Sequence, residues 1–281
     1  MRSAFAVALV LWASFAVAAS SPAELFGVTH RIDFKRAAPA AGAAVAQPAR
    51  LEDLLLAPEV AVPAPIHATA AAEPKVYEDL WERIRDGFAI PELSSPLVER
   101  WQSWYVGRPR ILKGILDRSR RHLASVVEEV ARRGLPMELA LLPMVESGYD
   151  PTAMSPAEAY GLWQFIPSTA REYNLPRGPK FDARADVAVS TKAALDYLEA
   201  LHGLFHDWQL ALAAYNWGEK AVIRAIERNT AKGLPADYRS LKLPEETRNY
   251  LPKLQALKNL IASPEAFRLE IEPISDLVSH P

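Results

Sequence analysis

Apolar residues recur at helical spacing from about Val76 onward, and this pattern predicts a mainly helical chain. Tyr77, Leu80, Trp81 and Ile84 share one face, Gly87 ends that element, and Pro91 and Pro96 punctuate the connection after it. Two further helical patterns cover 97–105 and 111–131. In the second, Ile111, Ile115, Leu116, Leu123, Val126, Val127 and Val130 line one broad face while arginines and glutamates face water. Gly134 breaks this helix, and Pro136 starts the next at a position where its missing N–H costs little. Pro167 opens a turn through Ser168, Thr169 and Tyr173. Asp186 is placed to cap a helix carrying Val189, Ala193, Leu195 and Leu198, and Asp207 to cap Trp208 to Tyr215. Glu219 to Arg228 reads as another helix, closed near Lys232-Gly233. A last long helix follows Pro244 through Tyr250 to Ile261, where the interior Pro252 predicts a bend or an interruption. Strand alternation is scarce, with 175–182 and 238–243 the windows for a short strand or hairpin.

The N-terminal part follows a different pattern. Arg2 precedes a stretch from 4 to 19 that is apolar or small apart from Ser14, and Ala16-Val17-Ala18 or Ala18-Ala19-Ser20 offers a small-residue cleavage site. Residues 1–20 therefore read as a secretory signal peptide, with an uncleaved anchor as the alternative. Residues 21–75 form an Ala/Pro-rich arm in which Pro39, Pro48, Pro58, Pro63, Pro65 and Pro74 prevent a long helix and small side chains build no core. Leu51 to Leu56 is apolar enough to dock as a short helix. The remaining divisions are a helical support region at 76–133, a main domain at 134–262 and a C-terminal tail at 263–281.

Composition narrows the classes. With 281 residues, 50% hydrophobic and 23% charged, the chain can bury one sizeable core and is not a charge-rich disordered polymer. A formal net charge of -2 lends no general support to nucleic-acid binding. The absence of cysteine excludes a disulfide-linked partner, a thiol nucleophile, a thiolate metal site and lipidation through cysteine. His202 and His206 are spaced to share a helical face, the minimum for two metal ligands, but no third ligand stands at useful spacing, so the reading is surface histidines with no metal and no cofactor.

Glu146 is placed to act as a catalytic acid, against the plainer reading of a solvated glutamate at a helix end. The apolar run Pro136 to Val145 leads into it, and Ser147-Gly148-Tyr149-Asp150-Pro151 turns the chain away. Apolar neighbours disfavour the charged form, so its pKa is expected above the ordinary glutamate range, the condition for donating a proton to a leaving group near neutrality. Polar-aromatic blocks accompany it: Gly161 to Pro167 with Ser155 in the turn before, Ala213 to Gly218, and Glu246 to Lys253. Amides or hydroxyls set among aromatics suit a sugar, which stacks through its apolar face and hydrogen bonds at its rim. Trp101, Trp104 and Tyr105 are either a sugar-binding ledge or core. Trp163 packs inward or lines the cleft, and Trp217 divides between the same two roles. On these grounds alone the chain is expected to be a secreted helical domain, with a polar-aromatic cleft as a candidate site and catalysis one option among several.

The blocks Glu146-Ser147-Gly148-Tyr149-Asp150-Pro151, Gly161-Leu162-Trp163-Gln164-Phe165-Ile166-Pro167-Ser168-Thr169, Ala213-Ala214-Tyr215-Asn216-Trp217-Gly218 and Glu246-Thr247-Arg248-Asn249-Tyr250-Leu251-Pro252-Lys253 resemble those of the lytic murein transglycosylases. The resemblance is to the membrane-bound transglycosylase D type in particular, and it runs in order over roughly 76–262. It implies a goose-type lysozyme-like fold with an N-terminal helical extension. It places the catalytic acid/base at Glu146, a serine near the N-acetyl group at Ser155, a cleft glutamine at Gln164, a substrate-orienting pair at Tyr215 and Asn216, and the aromatic of the last block at Tyr250. Between Ser155 and Gly161, Glu158 and Tyr160 stand where the family has small or uncharged residues. The implied reaction cleaves the β-1,4 bond between N-acetylmuramic acid and N-acetylglucosamine in peptidoglycan glycan strands and leaves 1,6-anhydromuramyl ends, in the periplasm. A lysozyme-like hydrolase and a non-catalytic wall-binding protein are the alternatives. Members of the D type carry a lipidated cysteine and C-terminal wall-binding modules; without these features, the chain is expected to reach the wall through its own cleft or a cell-wall-associated protein.

Overall fold

The computed structural model describes residues 75–276; the predicted signal-peptide segment, the predicted Ala/Pro-rich arm up to residue 74 with Leu51 to Leu56, and the last residues of the tail lie outside them. The first helix, α1 (Leu80–Asp86), begins later than the apolar pattern alone suggests, because Asp79 is extended and its side chain caps the backbone N–H of Trp81. Next come α2 (Pro96–Val106), capped by Ser95, and α3 (Pro109–Ser119). Where the periodicity predicts one helix over 111–131, the chain forms two, α3 and α4 (Leu123–Arg132). The break falls in the polar run Asp117 to His122, where Ser119 turns its hydroxyl onto the Leu116 carbonyl at 2.8 Å. Each half still buries its own apolar face, Leu112 and Ile115 in one, Leu123, Val126, Val127 and Val130 in the other.

Pro136 precedes a 3-10 segment, Met137–Leu141, that passes directly into α5 (Leu142–Glu146), and every residue of both is buried. After a long loop come α6 (Pro167–Glu172) and an antiparallel two-stranded hairpin, β1 (Arg177–Gly178) and β2 (Phe181–Asp182), paired Arg177 to Asp182. Next are α7 (Val187–Phe205), capped by Asp186, α8 (Trp208–Trp217), capped by Asp207, and α9 (Glu219–Thr230). The last long helix, α10 (Glu245–Ala262), runs through Pro252. Pro252 has no N–H to offer the carbonyl of Arg248, and the Tyr238 hydroxyl donates to that oxygen at 3.1 Å instead. That substitute donor lets the helix continue where an interruption is predicted from sequence.

α10 packs against α2, α8 and α5, α7 lies along α8, and α4 packs on the Met137–Leu141 segment and on α7. The fold is mainly helical, as the periodicity predicts. Beyond α10 the chain, read from sequence as a tail, docks on α1 as far as it is described. Leu80 N–H donates to the Ile274 carbonyl at 2.8 Å, the Trp81 indole to the Glu272 carbonyl at 3.2 Å, and Arg83 pairs with Asp276 at 3.2 Å. Tyr105 is buried with its ring edge-on to Trp104 at 5.1 Å, so it belongs to the core and not to a sugar-binding ledge; Trp101 and Trp104 are half-buried against that core. His202 stacks on Trp208 at 4.2 Å, and His206 ends α7 in the left-handed region.

Candidate active site

The site forms where α5 ends against α10. Glu146 is the last residue of α5 and is 1% exposed. Its position is fixed by the turn that follows: the Tyr149 N–H donates to the Pro143 carbonyl at 2.9 Å, and the Tyr149 hydroxyl to the Ala140 carbonyl at 3.0 Å. The Ser147 hydroxyl donates to the Leu162 carbonyl at 2.9 Å, and Arg118 of α3 donates to the Gly148 carbonyl at 2.7 Å. The helix carrying the carboxylate is therefore tied both to the loop after it and to the helices before it.

Tyr250, one turn into α10, donates its hydroxyl to Glu146 Oε1 in a short hydrogen bond. Glu146 Oε2 is buried and has no hydrogen-bond partner among the described residues. Burial dominates, pushing the Glu146 pKa up to about 8; the Tyr250 hydrogen bond and the Lys253 charge pull it down, and the Glu246 charge pushes it up. At neutral pH the carboxyl accordingly holds its proton. Tyr215 and Tyr250 are both pushed well above the ordinary tyrosine value, first by burial and then by the Glu146 charge. Both phenols thus stay protonated and can act as donors.

Gln164 sits in a left-handed conformation, φ 49°, and its amide nitrogen donates to the carbonyls of Ala153 at 3.1 Å and Gly161 at 2.8 Å. Its amide oxygen is buried without a partner among the described residues. Gly161 is required at its own position, because φ is 86° and a Cβ would lie 2.0 Å from the Arg184 carbonyl oxygen. Ser155 closes the same loop: its hydroxyl oxygen accepts from Ala159 N–H at 3.0 Å while its own N–H donates to the Ala159 carbonyl at 2.8 Å. Glu158, also at positive φ, is exposed and lends its carbonyl to Arg184 at 2.7 Å.

The Tyr215 hydroxyl donates to the Trp163 carbonyl at 2.9 Å, which couples α8 to the loop carrying Gln164. Tyr215 also continues a file of rings through Tyr197 at 5.4 Å and Tyr173 at 5.0 Å. Asn216 is buried in the same turn of α8. Trp163 is core, its indole donating to Thr191 at 2.9 Å, and Trp217 is half-buried. The structure thus brings Glu146, Tyr215 and Tyr250 within electrostatic reach of one another and ties Gln164 to them through Tyr215. Ser155 joins through the 153–164 loop and makes no hydrogen bond to Glu146 among the described residues.

Two groups in the site were not singled out from sequence. Glu246 and Lys253 both act on the Glu146 charge, and Lys253, buried, lies 4.8 Å over the Trp101 ring. Burial lowers the Lys253 pKa while Glu246 and Glu146 raise it. Their signal is positional: Glu246, Tyr250 and Lys253 stand at i, i+4 and i+7 of one helix and so form a single stripe.

Residues 126–235 match the family model for the transglycosylase SLT domain. Over 199 residues the chain is 39% identical to the membrane-bound lytic murein transglycosylase D of Escherichia coli (strain K12), covering 70% of this chain and 44% of that relative. It is 38% identical over 149 residues to the putative tributyltin chloride resistance protein of Alteromonas sp. (strain M-1), covering 53% of this chain and 72% of that one. A membrane-bound lytic murein transglycosylase C from Glaesserella parasuis serovar 5 is 33% identical over 175 residues, 48% of its length. The chain thus spans less than half of either murein transglycosylase.

Proposed function

The chain belongs to the transglycosylase SLT family, and from that premise we propose that it is a lytic transglycosylase acting on peptidoglycan glycan strands. The observation that carries this reading is the environment of Glu146, a buried carboxyl held protonated at neutral pH with one phenol donor on Oε1. Protonated Glu146 donates to the oxygen linking N-acetylmuramic acid to N-acetylglucosamine while the muramyl N-acetyl group assists at the anomeric carbon. The ionised carboxylate then takes the proton of the muramyl C6 hydroxyl, whose oxygen closes on the anomeric carbon. Water is not incorporated, and the product is a 1,6-anhydromuramyl end.

The neighbours suit a group that is an acid first and a base second. Burial favours the protonated resting form, while Tyr250 and Lys253 both favour the ionised form that appears once the proton has left. Such stabilisation counts toward catalysis because it is stronger after proton transfer than before it. Ser155, Gln164 and Asn216 are assigned to the N-acetyl and hydroxyl groups of the sugar. Ser155 keeps its hydroxyl proton to donate, and Gln164 keeps its amide oxygen to accept. Tyr215 positions the Gln164 loop. Residues 134–262 form the catalytic domain in this reading, with 76–133 as its support.

Arg2 and the apolar run after it support export to the periplasm. No helix among the described residues is long and apolar enough to cross a membrane. One observation favours a hydrolase acting on the same bond: Glu246 is a second carboxylate near Glu146, and hydrolases commonly use a pair. Mass spectrometry of purified sacculi digested in isotopically heavy water separates the two. Anhydro ends without solvent oxygen are expected; reducing ends carrying heavy oxygen assign the hydrolase, and an intact glycan ends the enzymatic reading.

A further inference from the structure

A second cavity, of about 460 Å³, lies between α6 and the β1–β2 hairpin. It forms because Asn174 turns the chain at φ 54° and the Leu175 N–H closes onto the Ala170 carbonyl at 2.8 Å, sending the backbone back into the hairpin. Arg171, Arg177 and Arg184 line it, beside the apolar surfaces of Pro167, Ala170 and Leu175. No acidic side chain is among the described lining residues. Asp182 is the carboxylate shared behind them, 2.7 Å from Arg184 and 3.6 Å from Arg177. Arg171 makes no ion pair among the described residues, so three guanidinium groups stand against one carboxylate.

The three arginines are not equivalent. Arg184 is buried, and its guanidinium is used by Asp182 and by the carbonyls of Glu158 and Phe165, at 2.7 and 2.8 Å from Nη1. It is a fixed positive wall. Arg171 and Arg177 are exposed and keep donors for a ligand. Guanidinium forks match carboxylates, and the volume lies in the range, roughly 300 to 1,000 Å³, of sites that enclose an organic group and not a bare ion. The apolar wall suits an aliphatic stem leading to that carboxylate. Arg184 donates to the carbonyl of Phe165, the residue after Gln164, so the fixed wall of this cavity is hydrogen-bonded to the loop that carries Gln164.

We propose that this cavity is a subsite for a carboxylate of the peptide stem carried by the muramyl residue, with Arg171 and Arg177 as its ligating side chains. The proposal rests on the transglycosylase reading for the source of the peptide, but it can be tested without cleavage. Calorimetry with the free stem tripeptide L-alanyl-γ-D-glutamyl-meso-diaminopimelic acid is expected to show saturable binding to the wild-type chain. Binding should weaken on the order of tenfold in Arg171→Gln/Arg177→Gln and on amidation of the peptide carboxylates. No binding to wild type, equal binding to the double variant, or equal binding of inorganic phosphate overturns the proposal. In a second arm, the double variant is expected to lower kcat/KM on stem-bearing strands about tenfold more than on strands stripped by an amidase. An equal effect on both strands overturns it as well. Failure of the wild type to cleave either strand removes the transglycosylase reading while the calorimetry still decides the cavity.

Discussion

Glu138 and Glu146 stand in one buried helical run, each 1% exposed, and their surroundings are opposite. Glu138 accepts two hydrogen bonds, from Ile90 N–H at 2.9 Å and Ala89 N–H at 3.0 Å, and pairs with the Lys258 ammonium at 3.0 Å. It ties the connection after α1 to α10. Glu146 accepts from Tyr250 alone among the described residues, on one oxygen. Equal burial therefore gives a structural tie at one end of the run and the candidate proton donor at the other. What separates them is the supply of donors: both Glu138 oxygens have partners, whereas Glu146 Oε2 has none among the described residues.

The largest expected effect comes from removing the acidic proton of the second glutamate. Glu146→Gln should lower glycan cleavage by about 10²- to 10⁴-fold, because the amide keeps the shape and has no acidic proton. It should also be more stable than wild type at neutral pH. The folded protein holds the Glu146 proton up to about pH 8 whereas an ordinary glutamate loses it near pH 4.5, so ionisation opposes folding progressively between those values. By this linkage Gln should add roughly 1 to 3 kcal/mol at pH 7 and almost nothing below pH 4, read from denaturant melts at both. A variant that cleaves within threefold of wild type breaks the contrast.

Glu138→Gln should do the reverse. Removing the charge leaves the buried Lys258 with Glu92 at 3.0 Å, an exposed partner, and should cost about 2 to 4 kcal/mol of stability. Turnover by the folded fraction should stay near normal. Lost activity at unchanged stability would falsify the division of labour between the two glutamates.

Tyr250→Phe sharpens the comparison by taking away the one donor on Glu146. Cleavage should fall about tenfold, a hydrogen bond to a charged group being worth about 1.5 to 3 kcal/mol. Because that bond lowers the Glu146 pKa, its loss should move the basic limb of the kcat/KM profile, expected near pH 8, to higher pH. A limb that stays in place would mean that Glu146 is not the titrating acid.

The smallest effects are expected at the other pair. Tyr215→Phe frees the Trp163 carbonyl and should cost about 1 kcal/mol of stability with a modest loss of rate. Asn216→Ala should lower kcat/KM roughly fivefold with little change in melting, since its amide is assigned to substrate. Thermal unfolding measured beside initial rates tells these apart, and identical behaviour of both variants contradicts the assigned roles.

Much of this was legible in the chain. The apolar stripes of 123–130 and 187–205, the capping aspartates Asp186 and Asp207, and the short-hairpin window at 175–182 follow from local rules, because side-chain periodicity and backbone capping act within a few residues. The apolar approach to Glu146 predicted a raised pKa for the same reason: its immediate neighbours bury it. Sequence alone therefore determined a helical chain, the candidate for the acid, and the blocks that resemble a family.

Tertiary structure decided the rest. It split 111–131 into α3 and α4, since helical spacing of apolar residues does not say where a polar run lets the axis turn. It kept α10 whole across Pro252 through a hydroxyl from Tyr238, and it docked Glu272 to Asp276 on α1. It also separated Glu138 from Glu146, whose sequence surroundings are alike, by bringing Ala89, Ile90 and Lys258 to one and Tyr250 to the other. The physical reason is shared by the glutamates and the docked tail: a buried polar group is defined by its donors and acceptors, and here those arrive from residues far away along the chain.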